Sequence, residues 1–91
     1  MKITLKPGFF VQDIAGEKIL MGGETEVDFS KMMVLNHTSA WIIELLQEEP
    51  MLEDDIAQDL TERFDVDYEQ AFADVQEFCR QLQELNVVTA E

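Results

Sequence analysis

The segment KMMVLNHTSAWIIELL, residues 31–46, changes its hydrophobic pattern halfway along. Its first part, Lys31–Leu35, is a short apolar run that predicts a β-strand. Asn36 or Thr38 can then cap a helix, and the apolar residues that follow recur at helical spacing as far as Leu46. The segment therefore divides the chain into a strand-rich N-terminal third and a helical remainder.

Two further strands are predicted before this segment, Gly8–Ile14 and Glu17–Met21, with a short turn at Ala15–Gly16. Gly22–Gly23 ends the second strand, and residues 24–28 form a connecting loop before a strand that begins at Phe29 or Lys31. Because the turns are short and the loop is of medium length, we expect an antiparallel meander of three strands.

Three helices are predicted after it. The first ends near Glu49, ahead of a proline, and the second covers Glu53–Phe64 with three acids in its first turn. The third begins after the cap residue of Asp67-x-x-Gln70, which resembles a capping box, and Asn86 can end it in the left-handed conformation. Three strands followed by three helices predict an α+β fold whose helices stack on one face of the sheet and leave one edge strand partly open.

Length and composition predict a single domain over residues 1–91, with a core at about 8–88. We expect no signal peptide, since no apolar run follows the charged N-terminal residues, and no apolar stretch is long enough to span a membrane. A single cysteine, Cys79, fits a reducing compartment, so we expect a cytoplasmic protein.

The charge of the chain is strongly acidic and uneven. The net charge is −14, and residues 36–91 carry −13 of it, from fifteen acids and two arginines. Such a surface repels nucleic acids and anionic membranes, so neither is an expected partner. The charge either keeps the domain soluble or steers a basic partner towards it.

Catalytic chemistry is poorly supported. His37 is the only histidine, and Cys79 lies inside the third helix with one arginine close by, so neither a reactive thiol nor a zinc site is expected. Asp65, Asp67 and Glu69 alternate like the start of a calcium loop, but a glutamine stands where that loop needs glycine. We therefore expect no enzyme activity, no metal and no cofactor.

Two non-catalytic interpretations remain open. An acyl-carrier-like domain would need an attachment serine, and Ser39 lies at a helix start without the usual preceding aspartate and following leucine. A structural or dimerisation module would pair two copies of Lys31–Leu35 edge to edge, which leaves a homodimer open.

The strand Lys31–Leu35 is suited to capture a peptide as an added strand, because it is apolar on both faces and contains adaptable methionines. Each main-chain hydrogen bond contributes about 0.5–1.5 kcal/mol net. A few such bonds barely offset the cost of association, so apolar anchors in a pocket must add to the affinity.

Four short motifs carry a family resemblance: Gly8-Phe9-Phe10-Val11, Gly16-Glu17-Lys18-Ile19-Leu20, Asp28-Phe29-Ser30-Lys31 and Leu35-Asn36-x-Thr38-Ser39-Ala40. Over about residues 8–88 the chain resembles the PqqD-like proteins, the stand-alone recognition elements for ribosomally made, modified peptides. The Leu-Asn-x-Thr-Ser-Ala motif is the most specific part of the match.

The resemblance implies a winged-helix-like domain that acts as a peptide chaperone. Such a domain binds the leader segment of a precursor peptide between the third strand and the third helix and presents it to a modifying enzyme, often a radical S-adenosylmethionine enzyme. Asp74 would pair with a basic residue of the leader. Carried onto this chain, the resemblance gives these peptide-binding residues: Lys31, Met32, Met33, Val34, Leu35, Ala71, Asp74, Val75 and Phe78.

Overall fold

A computed structural model describes residues 1–22 and 33–91 of the chain. In chain order its elements are β1 (Lys2–Leu5), β2 (Phe9–Ile14), β3 (Glu17–Gly22), β4 (Met33–Leu35), α1 (His37–Glu48), β5 (Met51–Leu52), α2 (Glu53–Phe64), α3 (Tyr68–Glu84) and β6 (Val88–Ala90). The predicted loop at residues 24–28 lies outside the described residues.

The strands β2, β3 and β4 form an antiparallel sheet in sequence order, which confirms the predicted meander and the α+β class. Ala15 and Gly16 connect β2 to β3 with φ values of 53° and 84°. Two successive residues of positive φ are typical of the tight hairpin turn whose twist matches that of the flanking strands.

A second sheet was not predicted from the sequence. It has the order β5-β1-β6, with β1 antiparallel to both neighbours. Ile3 of β1 is 0% exposed, so the residues before Gly8 belong to the folded core as much as those after it. Val88, the first residue of β6, pairs with Leu5.

The three helices begin and end close to the predicted positions, and α1 and α3 start at local side-chain caps. The Asn36 side chain accepts a hydrogen bond from the Ser39 amide at 2.8 Å, and Asp67 accepts one from the Gln70 amide at 2.8 Å. The Gln70 side chain donates to Asp74 on the next turn of α3. Of the two hydrogen bonds of the expected capping box, the structure shows the one that Asp67 accepts. The Gln70 side chain bonds to Asp74 instead.

The left-handed end of α3 is confirmed. Asn86 has a φ of 61°, its amide donates to the carbonyl of Gln83, and the Val87 amide donates to the carbonyl of Leu82. This pair of bonds is the Schellman motif, and it turns the chain back so that β6 can pair with β1.

Replacing the α3 cap, Asp67→Ala, is expected to lower the free energy of unfolding by about 1 kcal/mol, because one amide at the helix start loses its acceptor. Urea unfolding followed by circular dichroism measures the change. Asp65→Ala, on an exposed residue two positions earlier in the chain, is a poor control because Asp65 has a left-handed φ of 52°. Glu62→Ala, on an exposed residue in the last turn of α2, is better, and an equal loss in that variant would contradict a specific role for the cap.

The core lies between the helices and one face of the meander. It contains residues from both sheets and all three helices, among them Ile3, Phe9, Leu20, Leu35, Ile42, Ile43, Ile56, Leu60, Val75 and Leu82. Since α1 contacts β2, β3 and β4, the helical layer covers the face that carries Leu20 and leaves the opposite face outside.

Candidate functional site

The outer strand of the meander has an open edge. Within residues 1–22 and 33–91, β4 pairs with β3 on one side and with no strand on the other. Along β4 the exposure alternates: Met33 is half-buried, Val34 is 66% exposed and Leu35 is 6% exposed. Lys31 and Met32, which the sequence also assigns to this strand and to the site, lie outside the described residues.

A groove begins where β4 ends. It is a cavity of about 320 Å³ between the start of α1 and the middle of α3, and its lining includes Asn36, Thr38, Ile42, Asp74, Glu77 and Phe78. Asn36 follows the last residue of β4 directly, so the groove starts one residue after the open strand. Ile42 and Phe78 are almost fully buried and form its apolar floor.

The four peptide-binding residues predicted on the third helix lie in two different environments, the groove and the core. Asp74 is exposed and lines the groove, and Phe78, 8% exposed, lies at its floor. Ala71 and Val75 are 0% exposed and lie in the core, so they support the groove from beneath rather than forming its surface. Whether these residues contact a ligand stays a prediction.

Glu77 is a groove residue that sequence reasoning missed. It stands three residues after Asp74, which places both carboxylates on one face of α3. That spacing was a usable signal, but an acidic helix offers many such pairs, and only the packing of α3 shows which of them border a cavity.

Hydrogen bonds hold both groove carboxylates in place. Arg80 donates to Glu77 at 2.6 Å and to Glu84 at 2.9 Å, while the Gln70 side chain donates to Asp74 at 2.9 Å. The hydrogen bond and the positive charge of Arg80 lower the pKa of Glu77, so this carboxylate is ionised at neutral pH. The described residues that line the groove include two carboxylates and no lysine or arginine. This charge is suited to a ligand with a basic side chain.

The outer face of the meander is largely apolar, with Gln12 and Glu17 as its polar members. By register, these side chains share that face: Phe10, Ile14, Ile19, Met21 and Val34. Phe10 is 43%, Ile14 44% and Val34 66% exposed. The face is continuous with the open edge, because Val34 belongs to both.

Two further cavities do not border β4. The larger, about 450 Å³, lies between Met1, Ile3, the start of α2 and α3, and includes the buried Glu53. The smaller, about 240 Å³, lies beside Trp41, Phe64 and Arg63. Neither is lined by Asn36, the residue that directly follows β4, so the groove that starts there makes the stronger candidate site together with the strand edge.

The groups that were weighed for catalysis lie apart from one another. His37 is exposed at the first position of α1, and Cys79 is 2% exposed inside α3. Burial, with a smaller contribution from the charge of Glu53, raises the pKa of Cys79 to about 12. Within the described ranges no three metal-binding side chains cluster.

The raised pKa of Cys79 predicts that the thiol reacts slowly in the folded protein and that the free energy of unfolding falls at alkaline pH. The folded protein keeps the thiol proton from the ordinary pKa near 9.0 up to about 12, whereas the unfolded chain loses it near 9.0. Stability from this group is therefore complete below that window and falls as the pH rises through it. Ellman's reagent at pH 8 should label the native protein far more slowly than the protein in urea, and Cys79→Ala should flatten the alkaline fall. Equal labelling rates would contradict the buried position.

The family model described as Coenzyme PQQ synthesis protein D (PqqD) matches residues 17–88. The chain belongs to the PqqD family. The match confirms the resemblance. It begins after β1 and β2 and covers β3, β4 and the three helices.

A solved structure agrees with this membership. The fold is similar to "Lasso peptide synthetase B1 complexed with the leader peptide", with a TM-score of 0.70 and 25% identity over 97% of this chain and 98% of that one. That protein was solved with a leader peptide bound. No curated protein matches the chain at a significant level. None of the helices in the described part of the PqqD-family chain has the length and hydropathy to cross a bilayer.

Proposed function

We propose that this protein is a non-catalytic, cytoplasmic peptide chaperone. It binds the leader segment of a ribosomally made precursor peptide as an added strand at the open edge of β4, and it presents the precursor to a modifying enzyme. The observation that carries the proposal is the open edge of β4, followed at Asn36 by a groove with an apolar floor and an acidic wall. Membership of the PqqD family and the similarity to a protein solved with a leader peptide support it.

The energetics require the edge and the groove together. A strand as short as Met33–Leu35 offers only a few main-chain hydrogen bonds, each contributing about 0.5–1.5 kcal/mol. That gain is offset by the loss of translational freedom and by the ordering of the peptide. Burial of the apolar part of a leader side chain over Ile42 and Phe78 adds roughly 1.5–3 kcal/mol, so the groove contributes as much as several of these hydrogen bonds.

The acidic wall gives the site a preference among peptides. Asp74 and Glu77 lie on the exposed side of the groove, where a lysine or arginine of the leader can reach both. The main chain of β4 pairs with any extended peptide, so the groove side chains supply the selectivity.

The modifying enzyme is the second partner in this proposal, and a radical S-adenosylmethionine enzyme is the class that the family resemblance implies. The chaperone contributes no reacting group. Its contribution is to raise the local concentration of the precursor at the enzyme and to fix which segment is held.

The test is a titration of ¹⁵N-labelled protein with candidate precursor peptides, including any encoded beside its gene. We expect the amides of β4 to shift first and those lining the groove to follow. Met33→Asp should weaken binding, whereas Ile14→Asp, on the exposed outer face of the far edge strand β2, should leave it unchanged. Shifts confined to α2, or full affinity in Met33→Asp, would contradict strand addition.

The same open edge allows a second function, pairing of two copies through β4. Each copy would bring a net charge of −14 to the contact, and this repulsion disfavours the pairing. Sedimentation at rising protein concentration separates the two functions. A concentration-dependent mass that falls when peptide is added would show that a second copy competes for the edge.

A further inference from the structure

We infer that the bound peptide segment contains three consecutive residues: a basic residue, then a β-branched or aromatic residue, then an apolar residue. The order is reversed if the peptide runs in the opposite direction along β4. The inference rests on the proposed function and names the class of peptide that the site selects. It follows from the register of β4, from the two faces of the meander and from the position of the acidic groove.

The register of the sheet fixes where each ligand side chain must point. Leu20 pairs with Met33, Ile19 with Val34 and Lys18 with Leu35. Side chains in one cross-strand row lie on the same face of a sheet, and successive rows alternate between faces. A strand added beyond β4 continues these rows, so its residue beside Val34 points to the outer face, and the residues on either side of it point inward.

The inward position beside Leu35 is the one nearest the groove. Leu35 is followed at once by Asn36, which lines the groove together with Asp74 and Glu77. A lysine or arginine at this position lays its aliphatic stem along the apolar floor and its charge against the two carboxylates. An acid there would face two carboxylates, of which Glu77 is paired with Arg80 while Asp74 accepts only from the neutral Gln70 side chain.

The inward position beside Met33 has a different neighbourhood. Met33 is half-buried, and it packs against the same core cluster as Leu20. None of the residues that line the acidic groove belongs to this row. An apolar side chain is therefore favoured here, and methionine adapts its shape to it.

The outward position beside Val34 extends the row Gln12–Ile19–Val34, whose two nearest side chains are apolar. Val34 is 66% exposed and its neighbour Ile19 is half-buried on the same face. A β-branched or aromatic residue at this position makes a favourable cross-strand pair with valine and covers part of its exposed surface.

The experiment is selection of a displayed library of random nonapeptides on the immobilised full-length protein, followed by sequencing of the bound pool. We expect the triplet, or its reverse, to be enriched about threefold or more over the unselected pool, with a basic residue and an apolar residue two positions apart. Asp74→Lys should remove the basic preference, because the new ammonium group offsets the remaining Glu77 carboxylate. Val34→Lys should replace the β-branched preference by an acidic one at the middle position alone.

The control is Glu62→Lys, which makes the same charge change on an exposed residue of α2 that lines none of the three cavities, and it should leave the enriched triplet unchanged. Enriched peptides without the triplet, or with a pattern that Asp74→Lys and Val34→Lys do not move, would overturn this inference and leave peptide binding standing. A pool with no enrichment at all would overturn the proposed function itself.

Discussion

Ile3→Ala is expected to lower the free energy of unfolding by about 2–4 kcal/mol, because it removes buried methyl groups and leaves a cavity. Ile3 is 0% exposed, and β1 is the central strand of the second sheet, paired with β5 on one side and β6 on the other. For a domain of this size such a loss lowers the melting temperature by roughly 10–20 °C.

Urea unfolding followed by circular dichroism measures this effect, with the midpoint compared at constant slope. Thr4→Ala is the matched control, since Thr4 is the next residue of β1 and is only half-buried. We expect its midpoint to change little. If Ile3→Ala and Thr4→Ala were equally stable, β1 would be an accessory strand rather than part of the core.

The position of Ile3 also explains why the second sheet escaped sequence analysis. Lys2–Leu5 alternates polar and apolar residues, which is a strand signal, but its partners lie at Met51–Leu52 and Val88–Ala90. Those partners are two and three residues long and follow no hairpin turn, so no local pattern connects them to β1. Pairing over such distances along the chain is decided by the packed helices that bring the three segments together.

The elements that could be predicted are those whose causes are local. The Ala15–Gly16 turn lies within the hairpin that it closes, and the side chains of Asn36 and Asp67 bond to amides three residues later. The exposed strand of the site was predicted for the same reason, since the apolar run that ends at Leu35 is visible in the sequence.

The wall of the groove could be predicted only in part. Asp74 and Phe78 were assigned to it and do line it, but Ala71 and Val75 are removed from the surface by the packing of α3 on α2. Periodicity shows that these four residues share one side of a helix. It does not show where the boundary between core and cavity falls on that side, because the boundary depends on the neighbouring helix.

Reversal of both groove charges, Asp74→Lys with Glu77→Lys, is expected to weaken binding of a basic leader peptide at least about tenfold. The two carboxylates are the charged groups among the described residues that line the groove, and Gln70 and Arg80 hold them in position. Replacing attraction by repulsion at both positions slows encounter and speeds release. Calorimetric titration with a precursor peptide encoded beside the gene measures the loss.

The matched control separates local pairing from the overall field of the protein. Glu48→Lys with Glu62→Lys changes the net charge by the same amount, on exposed residues of α1 and α2 that line none of the three cavities. If the charge of −14 only steers the peptide, both double variants should lose affinity equally, and salt should abolish the difference from the native protein in each. If the groove carboxylates pair with a basic residue of the peptide, the control should retain most of its affinity and the groove variant should not. Salt should then leave part of the difference between them, because a partly enclosed ion pair is screened less than the field at the surface.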